Sequence, residues 1–136
     1  MRHLVTGGSG FLGNLIAIHL LAQGEDVSIL DIWEDEQRPT KAKFFKTSVL
    51  NREGVAAAMK GVDIVHHTAA LVPLTKSGNL FRQVNVEGTK IVAEEAVKAG
   101  VPARPSSSNT AISVSMTETP ACRRRASASS AERGAR

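Results

Sequence analysis

No tyrosine occurs among the 136 residues, and no lysine follows Lys98. A phenol therefore cannot serve this chain as acid, base or hydrogen-bonding group. The one cysteine, Cys122, rules out an intrachain disulfide framework. No apolar run reaches the ~18 residues that a membrane-spanning helix requires. Met1-Arg2-His3 leads directly into an apolar strand, so no signal peptide is expected. With 42% hydrophobic residues, the chain is expected to be a soluble cytoplasmic protein with one modest core and no membrane partner.

An even spread of positive charge is also lacking. Residues 1–100 carry eleven Lys/Arg and eleven Asp/Glu, which cancel. The whole excess of +4 falls in residues 101–136, which hold six Arg and two Glu. A nucleic-acid or acidic partner would have to rest on Arg123-Arg124-Arg125 alone. Three arginines in a low-complexity stretch are more often a solvated run, so no nucleic-acid partner is expected.

What the chain does have stands at its beginning. Leu4-Val5-Thr6-Gly7-Gly8-Ser9-Gly10-Phe11-Leu12-Gly13 reads as strand, glycine turn and helix. Leu12, Leu15, Ile16, His19 and Leu20 continue it with helical periodicity. Gly7, Gly10 and Gly13 have G-x-x-G-x-x-G spacing. The first permits a tight turn, the second lets a diphosphate approach the backbone, and the third lets helix and strand pack closely. The helix N-terminus would then present free N–H groups and a positive dipole end to the phosphates. A glycine-rich loop can also merely turn; its placement between strand and helix favours the phosphate reading.

The remaining pattern alternates. A strand is expected at Arg2–Val5, a helix at Phe11–Ala22 with Gly24 as its cap, and a strand at Asp26–Asp31. Asp31, 18 residues after Gly13, can accept both hydroxyls of an adenosine ribose and repel a 2′-phosphate, or it can simply end the strand. Trp33–Lys43 reads as a polar loop and Lys43–Thr47 as a strand. Asn51 caps a short helix through Lys60, and Gly61 ends it. Val62–His67 is a fourth strand. Its His66 and His67 point to opposite faces, so a shared metal is not expected and structural packing is. After a loop over Leu71–Asn79, a long helix is expected from Leu80 to Ala99, with Val84, Gly88, Ile91, Val92, Ala96 and Ala99 as its apolar stripe and Gly100 as its cap. The order β-α-β-loop-β-α-β-α specifies an α/β fold, a Rossmann-type doubly wound parallel sheet with ligands outside the C-terminal strand ends.

Residues 1–100 resemble the NAD-dependent epimerase/dehydratase family of the extended short-chain dehydrogenase/reductase superfamily. The matches are Thr6-Gly7-Gly8-Ser9-Gly10-Phe11-Leu12-Gly13, Asp31, His67-Thr68-Ala69-Ala70 and Asn85-Val86-Glu87-Gly88-Thr89. The resemblance implies an NAD cofactor. In complete members it implies transient oxidation of a substrate hydroxyl, often on a nucleotide sugar, in some relatives on a hydroxysteroid or another small alcohol. Carried over by position, Gly7, Gly10, Phe11 and Leu12 line the diphosphate, with Gly13 closing the motif. Asp31 and Ile32 hold the adenosine ribose. Ser48 and Val49 lie beside the adenine, where the family usually has an acidic residue at the first position. Thr68, Ala69 and Ala70 flank the nicotinamide side, and Asn85 matches a helix asparagine that supports the active site.

The family's catalytic tyrosine, and the lysine four residues later that lowers its pKa, have no counterpart here. A serine or threonine is expected just after a fifth strand, where Ser107, Ser108 and Thr110 all fall nearby. The fifth strand itself meets Pro102 and Pro105, which are hostile to a central strand. Residues 101–136 are an Ala/Ser/Arg-rich tail without periodicity, apart from a weak alternation at Ile112–Met116. The expectation is an incomplete NAD-binding domain over 1–100, truncated after about four strands. It binds NAD without catalytic residues of its own, and a small-molecule substrate belongs only to a complete homologue. The alternative is a non-catalytic NAD(H)-binding regulatory module. An incomplete sheet also leads us to expect association or aggregation through an exposed sheet face. The abrupt change of composition after Gly100-Val101 has the look of coding sequence read in a shifted frame. Translating the gene in its other two frames beyond this point should restore an apolar fifth strand and a Tyr-x-x-x-Lys pair; their absence from both frames would refute the shift.

Overall fold

A computed structural model describes residues 1–71 and 78–101. Ser107, Ser108, Thr110, the alternation at 112–116, Cys122 and the arginine run lie outside the described residues. Four parallel strands form one sheet: β1 (Arg2–Thr6), β2 (Asp26–Asp31), β3 (Lys43–Lys46) and β4 (Ile64–His67), in the order β3-β2-β1-β4. β1 is central among them, and its Leu4, Val5 and Thr6 are fully buried. That explains a continuous apolar run where a half-exposed strand would alternate. Thr6 stands in register with Leu30 on one side and His67 on the other.

Helices cover both faces. The helix α1 (Phe11–Ala22) lays Gly13, Ala17 and Leu20 on one face, against Val5, Val27 and Ile29. The helix α2 (Arg52–Met59) and the helix α4 (Thr89–Lys98) pack Val55, Ala58, Met59, Val92 and Ala96 onto Leu4 and Leu30 on the other. Asn51 caps α2 by accepting the Gly54 N–H at 3.2 Å, as its position before the apolar run predicts. Arg52 reaches across to Glu94 and Glu95, both at 2.7 Å, and Lys98 joins Glu95. The Lys98 ammonium and then the Arg52 guanidinium hold the Glu95 carboxyl below its ordinary range.

Two expectations change. The long helix is helical throughout but not uniformly α: α3 (Asn79–Arg82) passes into a π-helical turn (Gln83–Gly88) before α4. The wider turn holds Gly88 buried against Val49, where a Cβ would lie 2.6 Å from Cγ2. Exposed apolar surface, expected on the sheet, lies instead on α1 at Phe11, Leu12, Leu15 and Ile18, just past β2 at Ile32 and Trp33, and on the later helical run at Leu80, Val86 and Val97. No large apolar side chain of the four strands is exposed, because α1, α2 and α4 cover both faces. Among the described residues no helix is long and apolar enough to cross a membrane.

His66 and His67 do face opposite sides. His66 Nε2 meets His3 Nδ1 at 3.0 Å, with the rings 14° from parallel and their centroids 5.3 Å apart. Those values place the two rings edge to edge in one plane, so one proton serves both facing nitrogens. His3 also faces Glu25, the N-terminal ammonium and Asp63. Burial pushes His3, His66 and His67 below their ordinary values, and the His3 charge lowers His66 further. The unfolded chain therefore takes up these protons first, and protonation draws the equilibrium towards it. We expect the urea midpoint to be level above about pH 7. It should fall as pH drops through about 6.5, as the unfolding free energy loses up to about 1.4 kcal/mol per pH unit for each histidine. A midpoint level down to about pH 5.5 would contradict the assignment.

Candidate functional site

The C-terminal ends of all four strands open into one cleft of about 300 Å³. β1 contributes Gly7 and Gly10 through its turn, and β2 ends in Leu30, Asp31 and Ile32. Thr47, Ser48, Val49 and Leu50 follow β3; Thr68, Ala69, Ala70 and Leu71 follow β4. Leu80 and Val84 close the cleft from the helical side. It lies where the strand order reverses, the position at which open parallel sheets take ligands.

The glycines do three different things. Gly7 has φ +71°, and a Cβ on it would lie 2.7 Å from the Ala69 Cα and N. A Cβ on Gly13 would run into the Gly7 carbonyl oxygen, so its absence brings α1 close against the turn. A Cβ on Gly10 would meet only the Gly7 oxygen, at 3.3 Å, and Gly10 lines the cleft. Gly10 is also the N-cap of α1, with no side chain capping the helix and no acidic residue in its first turn. The positive end of the α1 dipole is thereby left to a ligand.

Polar side chains around the cleft are fixed by the protein itself. Asp31 Oδ2 accepts the Ser9 N–H at 3.0 Å and Oδ1 accepts the Ile32 N–H at 2.7 Å. Ser9 Oγ donates to the Trp33 carbonyl at 2.5 Å. Thr68 Oγ1 donates to the Thr6 carbonyl at 2.7 Å, and the Ser48 hydroxyl accepts the Leu50 N–H at 3.1 Å. His67, behind the cleft, bonds Thr6 Oγ1 through Nδ1 at 2.6 Å and Thr89 Oγ1 through Nε2 at 2.9 Å. Thr89 gives its own hydroxyl proton to the Asn85 carbonyl at 2.8 Å. Its oxygen can then only accept from His67, which assigns the His67 proton to Nε2 and makes Nδ1 the acceptor of the Thr6 hydroxyl.

Of the residues expected from sequence, the structure gathers Gly7, Gly10, Asp31, Ile32, Ser48, Val49, Thr68, Ala69 and Ala70 around one cleft. Phe11, Leu12, Gly13 and Asn85 do not line it. Phe11 is 86% exposed at the head of α1. Gly13 shapes the turn from behind, and Asn85 grips the Leu71 backbone. Sequence reasoning left out Leu30, Thr47, Leu50, Leu71, Leu80 and Val84, which line the cleft. The first four sit at strand ends and were open to the same argument; Leu80 and Val84 depend on how the long helix turns. Among the described residues no cluster of His, Cys, Asp and Glu could hold a metal.

Comparison with known proteins points to one family. The sequence profile of the 3-beta hydroxysteroid dehydrogenase/isomerase family matches residues 4–116. The chain is similar to human sterol-4-alpha-carboxylate 3-dehydrogenase, decarboxylating, at 40% identity over 100 residues, covering 74% of this chain and 26% of that protein. It is 37% identical over 108 residues to the 3-beta-hydroxysteroid dehydrogenase of Mycolicibacterium neoaurum, covering 74% and 30%. The chain thus spans less than a third of the length of these relatives. Among solved structures, a short-chain dehydrogenase/reductase superfamily protein from Agrobacterium tumefaciens with bound NAD superposes with a TM-score of 0.68 at 28% identity, over 75% of this chain and 30% of that one. The dTDP-glucose 4,6-dehydratase of Streptomyces venezuelae, with NAD and TYD bound, gives 0.66 at 30% identity, over 74% and 37%.

The turn itself can be tested without a ligand. Gly7→Ala combines a left-handed φ with a collision against the Ala69 backbone, so it should destabilise the fold by about 2 kcal/mol or more. Equilibrium urea unfolding measures this, and a loss within about 0.5 kcal/mol would refute the close approach.

Proposed function

The chain belongs to the 3-beta hydroxysteroid dehydrogenase/isomerase family, and from that premise we propose that residues 1–100 are its NAD-binding part. The observation that carries the proposal is the pairing of an uncapped α1 N-terminus with an open Gly10 at the rim of the cleft. Two phosphates fit there, against backbone N–H groups and the helix dipole. Asp31, already oriented by Ser9 and Ile32, receives the ribose hydroxyls and disfavours a 2′-phosphate. Ile32 lies beside the same ribose, Ser48 and Val49 flank the adenine, and Thr68, Ala69 and Ala70 the nicotinamide side. When bound, NAD supplies the hydride acceptor for oxidation of a hydroxyl group. The chain's own residues bind and orient it; without a tyrosine they offer no phenolate to take the hydroxyl proton.

We read the chain as the cofactor-binding fragment of an oxidoreductase that acts on a nucleotide sugar or a similar hydroxyl substrate. The family match weighs towards a hydroxysteroid within that class. The missing Tyr and Lys equally favour a second reading, an NAD(H)-binding module that regulates by cofactor occupancy without turnover. The apolar surface on α1 supports self-association.

Trp33, the one tryptophan, adjoins Asp31 and makes a donor for energy transfer to NADH. Titration with NADH should give a saturable signal. Gly10→Val, which pushes two methyl groups towards the phosphates, should weaken binding at least about tenfold with the circular dichroism unchanged. With NAD and a 3-beta-hydroxysteroid, no NADH should form. Failure of the wild type to bind would remove the cofactor reading, and NADH formation would remove the claim that the chain lacks turnover.

A further inference from the structure

A second hollow, of about 570 Å³, lies beside the end of β2. The loop after β2 lines it between Trp33 and Thr40, and β3 adds Lys46. Two observations join it to the ribose end of the cleft. The Trp33 N–H reaches Asp31 Oδ1 at 3.4 Å, and Lys46 stands opposite Asp31 in the β2–β3 register. Val27, Ile29 and Phe44 pack on the α1 side of the sheet, so the pleat sends Asp31 and Lys46 to that same side.

Arg38, which lines this hollow, is fixed there by neutral partners. Its Nη1 donates to the Pro39 carbonyl at 3.4 Å and to the Ala42 carbonyl at 3.2 Å, and its guanidinium carbon lies 5.2 Å from the centre of the Phe44 ring. Phe44 packs in turn on the core beneath α1. Among the described residues the counter-charge comes from Glu34, whose Oε1 accepts Nε at 2.7 Å and Nη2 at 2.5 Å. The Glu34 side chain is 45% exposed, and pairs so placed add little stability. Arg38 therefore keeps its place without Glu34; what Glu34 changes is charge. The hollow holds three carboxylates, Glu34, Asp35 and Glu36, against two cations, Arg38 and Lys46. Without Glu34 the charges balance, and an anchored guanidinium stands open.

We propose that Glu34 is a specificity-determining residue beside Asp31: it masks Arg38, a preformed cation that would otherwise hold a 2′-phosphate on the adenosine ribose. An arginine near the ribose is what lets a site of this kind accept that phosphate, and a guanidinium fork binds phosphate oxygens in pairs. Asp31 turns the phosphate away at the ribose by direct repulsion. Glu34 acts one step further out and leaves the phosphate no open cation to meet. Glu34 does not line the cleft that receives NAD, so its removal alters the phosphorylated cofactor and spares the other. The inference deepens the NAD reading above and rests on it.

Calorimetric titration of the full chain with NADH and with NADPH tests it. Glu34→Ala should tighten NADPH binding at least about fivefold and leave NADH within about twofold. Adding Arg38→Gln should return NADPH to its wild-type affinity. Unchanged NADPH affinity in Glu34→Ala overturns the proposal. So does a gain shared equally by NADH, which marks a loosened loop, or a gain that persists without Arg38, which marks plain repulsion by Glu34. Arg38 can also be read directly by nuclear magnetic resonance. In Glu34→Ala its Nε–H signal should shift on addition of adenosine 2′-phosphate and stay in place with adenosine 5′-phosphate; in the wild type it should stay in place with both. If the double variant does not fold, this signal decides, and the absence of a shift in Glu34→Ala overturns the proposal. If the wild type does not bind NADH, the cofactor reading fails by itself. The same signal then judges the masked cation, which stands if adenosine 2′-phosphate shifts it in Glu34→Ala alone and falls if it does not.

Discussion

Backbone touching backbone between Gly7 and Ala69 is the constraint on which the rest of this molecule depends. The turn after β1 passes under the segment after β4 with no side chain between them. Three further close contacts follow from it: Gly13 against the Gly7 carbonyl, Gly7 N–H on the Leu30 carbonyl at 2.8 Å, and the Thr68 hydroxyl on the Thr6 carbonyl. Together they bring the ends of β1, β2 and β4 to one rim and fix the direction in which α1 leaves the sheet. A side chain at either glycine would part the strand ends, and the cleft between them exists only because they meet.

The hydrophobic core serves that arrangement from two sides. On the α1 face the helix approaches through small residues, Gly13 and Ala17, which keep its axis near the sheet. On the opposite face, α2 and α4 meet through Val55, Ala58, Met59, Val92 and Ala96 and are braced by Arg52, Glu95 and Lys98. Glu95 is 7% exposed and carries two cations, so its charge is answered where it is buried. Each of these helices begins or ends near a loop of the cleft, and core packing is thereby converted into loop position.

Much of this could be read in the sequence, for reasons that differ by element. Phe11–Ala22 and Asp26–Asp31 emerged with their observed bounds because a glycine turn, apolar periodicity and Gly24 punctuate them. Asn51 announced α2 by its capping chemistry. β4 begins at Ile64, two residues later than the apolar run suggests, since the Val62 N–H is taken by the Met59 carbonyl in the turn that ends α2. Nine of the thirteen expected cofactor residues surround the cleft, because they sit at strand ends and such ends are fixed by local pattern. The π turn stayed hidden: hydrophobic spacing reports which side of a helix is buried, not how many residues make the turn. His67 was placed on the correct face, but its two threonine partners come from β1 and α4, and no local signal joins them.

Ser9 carries a further consequence. Its amide is held by Asp31 and its hydroxyl by the Trp33 carbonyl, while Gly10 N–H bonds back to Gly7 at 3.0 Å. The glycine turn and the end of β2 are thereby sewn into one piece. To part them, several buried or half-buried hydrogen bonds must break at once, and cooperative units of that kind open rarely. That wall of the cleft is therefore held by the protein's own hydrogen bonds, and a ligand meets it already shaped.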